Sequence, residues 1–382
     1  MTDTIASVTV IAVPVTPKTV WTFIRLVSAS GIEGVGEATL TGQEQAVAAV
    51  AERCGGMVAG SPLGEASALF TRMPFGTLAE AAFSSGVMQA FRDLEARHQG
   101  ISAAALLGGV QRAGIPVYAN VNRRTLDRTP AGFAASAGDA VAAGHQAFKI
   151  APFDGLSPDL SSADAKPLIA HGIARIEAVR DAIGPEKRLM VDCHWRFQTD
   201  WALAALDALK PVGLHWFECP VPDTEAMIPD LVRIRAAANR QGVLLAGLEN
   251  AVLRRGFAPF LEARAYDVMM PDVKYAGGPD EMMRIAELFA SAGVVFSPHN
   301  PSGPICHTHS LHICAALPDL AVLETQFDET PRFDTLVGNE LPASEEGVTT
   351  IRDSGTGIGV TLDQTALDGL DTRVLWQSGR DA

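Results

Sequence analysis

Residues 188–220, RLMVDCHWRFQTDWALAALDALKPVGLHWFECP, hold two short apolar runs that each finish on an acid, Asp192 and Glu218. An Ala- and Leu-rich stretch with helical spacing lies between them. A brief apolar run closed by a polar residue reads as a buried strand, and strand, helix, strand in this order is one parallel crossover unit. The same pattern recurs along the chain. PVYANVN (116–122), QAFKIA (146–151), RLMVDCH (188–194) and LHWFECP (214–220) are strand candidates, as are GVLLAGLE (242–249), YDVMMPDV (266–273), GVVFSPHN (293–300) and LAVLETQ (320–326). Eight such strands alternating with helical text predict an α/β fold, a TIM-type barrel over residues 113–330.

Outside this region the texture changes. Residues 4–15 and 19–40 alternate like strands, with Ser-Gly and Glu-Gly as turn signals, and residues 43–109 are helical, so an α+β capping domain is expected over 1–112. Residues 331–382 hold more strand-like text and are expected to pack back on that domain. The run Gly355–Gly359 (GTGIG) has no strand before it and no acid placed after it as a dinucleotide site requires, and reads as a turn.

The net charge of −14 repels phosphate backbones and anionic lipid, so neither nucleic acid nor membrane is an expected partner. No leader-like segment or long apolar span is evident, and a cytoplasmic location is expected. Five cysteines without a CxxC pair suggest reduced thiols, with a packing role for Cys193.

In barrels of this kind chemistry gathers at the C-terminal strand ends. The polar residues there are Asn120, Asn122, Lys149, Asp192, His194, Glu218, Glu249, Asp272, His299 and Glu324. Asp192, Glu218 and Glu249 close three consecutive strands. Three acids so near one another raise each other's pKa unless a cation intervenes, and Mg²⁺ suits carboxylate oxygens while leaving positions for water or substrate. Each acid taken singly could equally cap a helix or pair with a base. Asp272 and His299 close the next two strands, where a carboxylate on Nδ1 would orient the imidazole as a general base. His307, His309 and His312 do not share one helical face and stay unassigned.

With these motifs in place the chain resembles the enolase superfamily, in particular its mandelate racemase-like group. MVDCH, WFECP and GLEN are similar to the three metal-ligand motifs of that group. MMPDVKYAGG, SPHNPSGP and LETQ are similar to its dyad aspartate, dyad histidine and final-strand acid. The resemblance implies a modified (β/α)7β barrel, one Mg²⁺ per site on Asp192, Glu218 and Glu249, and loss of an α-proton from a carboxylate substrate to His299. Racemases of the group carry Lys-x-Lys on the second strand. Here the second lysine position is Ala151, which leaves Lys149 to neutralise a carboxylate. Glu324 is implied as a protonated donor to substrate oxygens or as a structural ion pair. His194, two residues after Asp192, is similar to the general-acid histidine of galactonate- and mannonate-type dehydratases, which implies a Mg²⁺-dependent lyase that dehydrates an acid sugar to a 2-keto-3-deoxy acid. Homo-oligomers are common among such relatives.

Asn120, Asn122, Arg123 and Arg124 are candidates for binding substrate hydroxyls or a distal carboxylate, the stretch 16–21 for a lid, and the 153–167 segment for a loop entering the site. Arg196 fits either an outer-shell or a packing role. An epimerase or cycloisomerase with the same metal, a glycosidase using Glu218 as acid, and a catalytically silent barrel that serves binding or assembly remain the alternatives.

Overall fold

The computed structural model describes residues 3–351 and 355–378. Strands β1 (Ile5–Pro14), β2 (Val20–Ser28) and β3 (Glu33–Glu37) form an antiparallel meander, with helices α1 (Glu44–Cys54), α2 (Ala66–Arg72), α3 (Leu78–Gln99) and α4 (Ala103–Leu106) after it. Ser30 and Gly31 make the expected turn, but Glu33 and Gly34 do not. They belong to β3, whose glycines let the sheet sit directly on α3. A Cβ on Gly36 would come within 2.0 Å of the Gly86 carbonyl oxygen.

Each of the eight apolar runs carries a barrel strand: β4 (Gly114–Asn120), β5 (Ala147–Ile150), β6 (Arg188–Asp192), β7 (Trp216–Glu218), β8 (Leu244–Gly247), β9 (Val268–Met269), β10 (Val295–Phe296) and β11 (Leu323–Gln326). Helices α5 (Pro130–Ala142), α6 (Ser162–Ile183), α7 (Thr199–Ala208), α8 (Ile228–Asn239), α9 (Leu253–Glu262), α10 (Pro279–Ala292) and α11 (Pro304–Ala315) fill the seven connections. Neighbouring strands pair in parallel from β4 to β10, and β11 pairs with β4. Bonds from Ala321 N to the Phe296 oxygen and from Ser297 Oγ to the Val322 oxygen join the last two strands. The ladders are shorter than the apolar runs, because side chains stay buried for several residues after regular pairing stops.

The C-terminal segment divides. Strands β12 (Ser344–Glu345) and β13 (Val348–Thr350) form a hairpin that adds antiparallel to the barrel's β4, whereas β14 (Arg373–Ser378) pairs with β1 of the capping sheet. Gly357 docks beside α4, its nitrogen donating to the Ile101 oxygen at 2.9 Å and its own oxygen accepting from Ala103 N at 2.7 Å. That is the turn expected for 355–359. The part of the segment at 352–354 and 379–382 lies outside the described residues, as do residues 1 and 2.

A closed layer of Tyr118, Ala147, Met190, Trp216, Ala246, Val268, Met270 and Val322 plugs the barrel. Side chains alternate along a strand with period two, so the next inward layer is found by adding two to those numbers. On most strands it is ionic or amide: Asn120, Lys149, Asp192, Glu218, Asp272 and Glu324. The apolar plug therefore supports a polar floor one layer above it.

The capping domain grips the barrel at that floor. Ser85 Oγ accepts from Gly277 N at 3.0 Å, Gln89 Nε2 donates to the Val273 oxygen at 3.4 Å, and Tyr275 donates its hydroxyl to the Thr39 oxygen at 3.0 Å. Arg92 holds Asp280 through two 2.7 Å bonds. Glu37, buried at the end of β3, accepts from Gly303 N at 2.8 Å and Cys306 N at 2.9 Å, so a side chain of one domain caps α11 of the other.

His307, His309 and His312 are all buried on α11 and all bonded. His307 Nδ1 meets Asn300 Nδ2 at 2.9 Å, His309 Nε2 donates to the Val35 oxygen at 2.8 Å, and His312 Nε2 lies 3.1 Å from the Ile358 oxygen. Burial lowers the pKa of His307 and of His309 to about 4. Unfolded, each ring titrates near 6.5, so as pH falls the unfolded chain takes up the protons first. The stabilising contribution is complete above that pH and is lost toward pH 4, at about 3 kcal/mol per ring in the limit. Between pH 7 and pH 5, His309→Gln is therefore expected to lose about 2 kcal/mol less stability than the native chain in urea titrations. Parallel pH profiles would contradict a buried neutral ring.

No helix among the described residues is long and apolar enough to cross a membrane.

Candidate active site

With Glu249 after β8 and His299 after β10 added to the polar floor, each of the eight strand ends supplies a polar residue. Asp192 and Glu218 are directly paired across β6 and β7. One ligand atom each from Asp192, Glu218 and Cys219 lies within 4.8 Å of the others. Glu249 is outside that group, with its Oε2 3.2 Å from His299 Nε2. Strand alternation alone would point Leu248 inward and Glu249 outward. Leu248 takes a φ of +72°, which breaks the alternation and brings Glu249 in. His194, Trp195 and Cys219 also have positive φ, at 48°, 56° and 45°. Such a conformation in a non-glycine residue costs about 1–3 kcal/mol and persists only where the surroundings enforce it.

On a strand continued past Asp192, His194 would face the same side two residues on. The strand stops at Asp192, and the side chain reaches the same place through its left-handed turn, with Nε2 2.8 Å from Asp192 Oδ2 and its backbone N 2.9 Å from Oδ1. The Asp192 charge raises the His194 imidazole to about 9. Burial works against the Asp192 charge, but the His194 imidazolium outweighs it and holds the carboxyl down at about 2.

His299 presents Nδ1 to Asp272 Oδ2 at 2.8 Å, which leaves Nε2 facing the cluster of acids. The strands behind His194 and His299 are third and seventh of eight in the ring, so the two imidazoles approach from opposite sides. Lys274, two residues after Asp272, was not singled out from the sequence, yet its Nζ bonds both Asp272 Oδ2 and Ser302 Oγ. Its signal was a lysine in phase with the inward layer.

Lys149 is buried between two acids, 2.7 Å from Glu218 Oε1 and 2.9 Å from Glu324 Oε1. Glu324 also accepts from Asn120 Nδ2 at 2.7 Å and Asn300 N at 2.9 Å. Burial raises its pKa, but Lys149 and His299 reverse this and leave it below the usual carboxylate value. Of the two roles open to Glu324, the geometry is that of the ion pair, not of a protonated donor. Removing one partner of a buried pair strands the other charge, so Lys149→Met is expected to cost about 3–5 kcal/mol in denaturant titration. A loss under about 1 kcal/mol would mean that Glu218 and Glu324 are compensated by other groups.

The donor set fits a hard divalent cation. Five buried carboxylates, Asp192, Glu218, Glu249, Asp272 and Glu324, face two lysines and two imidazoles, so one negative charge stays uncompensated even with both rings protonated. Burial raises Glu218 and Glu249 above ordinary carboxylate values, with neighbouring acids adding to it. Glu249 Oε2, buried, makes no hydrogen bond, and its ionic partner is His299 Nε2 at 3.2 Å. Burial also holds the Cys219 thiol well above its usual value, so the cluster offers oxygen rather than thiolate.

Several expected substrate contacts are already engaged. Arg123 pairs with Glu329 at 3.2 Å, and Arg124 pairs with Asp139 and Asp328. Arg128 takes Asn122 Oδ1 at 2.8 Å. Thr19, in the stretch considered as a lid, donates to Glu329 Oε1 at 2.5 Å and so touches the segment after β11. The 153–167 stretch is fastened to the barrel wall by Arg128 and Arg175 on Asp154, at 2.8 and 3.2 Å, and by Arg196 donating to the Phe153 oxygen at 2.5 Å. Cys193 packs in the apolar core between strands and helices.

A parallel barrel with an α+β cap and a ring of acids and imidazoles at its strand ends defines the class of barrel proteins that the sequence motifs suggest. Family comparison gives the same answer. Residues 3–108 match the mandelate racemase/muconate lactonizing enzyme N-terminal domain, and residues 132–366 match the enolase C-terminal domain-like family. The chain belongs to the mandelate racemase/muconate lactonizing enzyme family of the enolase superfamily. It is similar to D-gluconate dehydratase of Thermoproteus tenax, 29% identical over 74% of this chain and 55% of that protein, so it spans about half that relative's length. D-galactarolactone cycloisomerase of Agrobacterium fabrum is 32% identical over 74% of this chain and 72% of its own. D-xylonate dehydratase of Haloferax volcanii is 27% identical over 91% and 84%. The fold is shared with a member of the enolase superfamily from Salmonella Typhimurium, with a TM-score of 0.86 at 22% identity, covering 98% of this chain and 100% of that one.

Proposed function

We propose that this protein is a Mg²⁺-dependent dehydratase of an aldonic or aldaric acid. The observation that carries the reading is the pair of imidazoles reaching one carboxylate cluster from opposite strand ends, His299 fixed by Asp272 and His194 held on Asp192. Asp192, Glu218 and Glu249 would hold the cation, which when bound supplies positive charge to the oxygens of the substrate carboxylate.

The side chains themselves divide the proton work. Asp272 accepts from the Nδ1 side of His299, so Nε2 carries the lone pair that takes the proton from C2 of the substrate. His194 then gives a proton to the departing 3-hydroxyl, which leaves as water. The resulting enol tautomerises to a 2-keto-3-deoxy acid. Lys149 and Lys274 stay charged and buried, balancing Glu218, Glu324 and Asp272 rather than touching substrate. Ala151 offers no base opposite His299, so two-base racemisation is not supported.

The 32% identical relative named as a cycloisomerase favours a second reading, in which the same base and metal close or open a lactone without loss of water. A screen of acid sugars with Mg²⁺, read by 2-keto acid formation, tests the first. Products that retain all the substrate's oxygens would favour the second.

A further inference from the structure

One half-buried carboxylate that this chemistry does not use sits behind the strand ends that bear Asp192, Glu218 and Glu249. Asp223 follows Pro220, Val221 and Pro222 in the loop after β7. Its Oδ2 accepts from the Trp195 indole Nε1 at 2.9 Å, from Leu248 N at 3.1 Å and from the Cys219 thiol at 3.9 Å, and its Oδ1 accepts from the Tyr266 hydroxyl. Trp195, Cys219 and Leu248 are three of the left-handed residues, and each belongs to a different strand end. Trp195 lies on the turn that starts at Asp192 and carries His194, Cys219 follows Glu218, and Leu248 precedes Glu249.

Backbone bonds from Trp195 N to the Cys219 oxygen at 2.6 Å and from Cys219 N to the Ala246 oxygen at 3.0 Å link only adjacent strands. Asp223 bonds to all three turns, including the first and third, which those bonds do not join directly. A carboxylate suits this position because its two oxygens can accept several donors at once. Hydrogen bonds to a charged acceptor are also stronger than those between neutral groups.

We propose that Asp223 is a positioning residue that sets the relative placement of the turns bearing Asp192, Glu218 and Glu249, and through them the affinity for the divalent cation. The inference rests on the reading of those three acids as ligands. Outer groups that orient metal ligands are commonly worth about 10- to 100-fold in affinity.

The test is a calorimetric titration of chelator-stripped full-length protein with MgCl₂ alone, together with melting temperatures taken without metal. Asp223→Ala is expected to weaken Mg²⁺ binding by about 10- to 100-fold. Asp223→Asn, whose amide oxygen still accepts from the Trp195 and Leu248 N–H groups, is expected to stay nearer the native value. Should Asp223→Ala fail to fold, Trp195→Phe removes a single donor and is expected to lose about 10-fold. A folded Asp223→Ala that melts earlier yet binds Mg²⁺ within twofold of native overturns the proposal, as does Trp195→Phe with native affinity or Asp223→Asn as weak as the alanine variant. A native protein that binds no Mg²⁺ overturns both this inference and the metal reading. A native protein that binds Mg²⁺ but dehydrates no acid sugar removes the proposed function, while the positioning role is still judged by the variants.

Discussion

His299→Asn is expected to lower kcat for acid-sugar dehydration by about 10²- to 10⁴-fold, the usual contribution of one general acid–base group. The amide can keep an N–H donor near the Asp272 carboxylate, in the place of Nδ1, but has no basic nitrogen to offer the substrate. His194→Asn is expected to lose a similar factor at a different step, and isotope exchange separates the two. With His299 intact, the His194 variant should still exchange the substrate's α-proton with deuterated solvent while releasing little water. The His299 variant should lose both processes together. Unchanged turnover in both variants removes the two-imidazole mechanism, and loss of exchange in the His194 variant would assign that ring to proton abstraction as well.

Chelation is expected to have the larger effect on the wild-type protein. EDTA should stop turnover completely, and Mg²⁺ should restore it, because without a cation the mouth holds more buried carboxylates than positive groups. Binding to the folded chain alone also stabilises it, by about 2.7 kcal/mol at a hundredfold excess over Kd, so the melting temperature should rise with added Mg²⁺. A glycosidase working through Glu218 would keep its activity in EDTA, and that result would displace the dehydratase reading.

Much of this was legible in the sequence because inward positions recur with period two. Met190 and Asp192, Trp216 and Glu218, and Val322 and Glu324 are the same step written on three strands, apolar plug followed by charge. Asp272 was readable for the same reason, two residues after Met270, and His299 as a polar residue at the end of its run. The route of the chain at the mouth was not. Left-handed backbone is normally announced by glycine or asparagine, whereas here it falls on His194, Trp195, Cys219 and Leu248, held by contacts from other strands. Glu249 was read as the acid that closes its apolar run, and only the turn at Leu248 explains how it faces inward. Lys274 and Asp223 went unread because their importance lies in bonds to residues that only the fold brings near. The Glu-Gly of β3 misled as a turn signal because its glycine serves a close approach to α3 instead.

The grip of the capping domain on the barrel has a consequence for engineering. Ser85 and Gln89 hold the loop that follows Asp272, and Glu37 caps the helix that follows His299, so both members of the proposed proton-transfer pair are braced by residues encoded in the first hundred positions. A chimera that takes its capping domain from a relative imports a new brace along with it. Unless residues 37, 85 and 89 travel with the recipient barrel, such hybrids should fold and recognise substrate yet turn it over slowly.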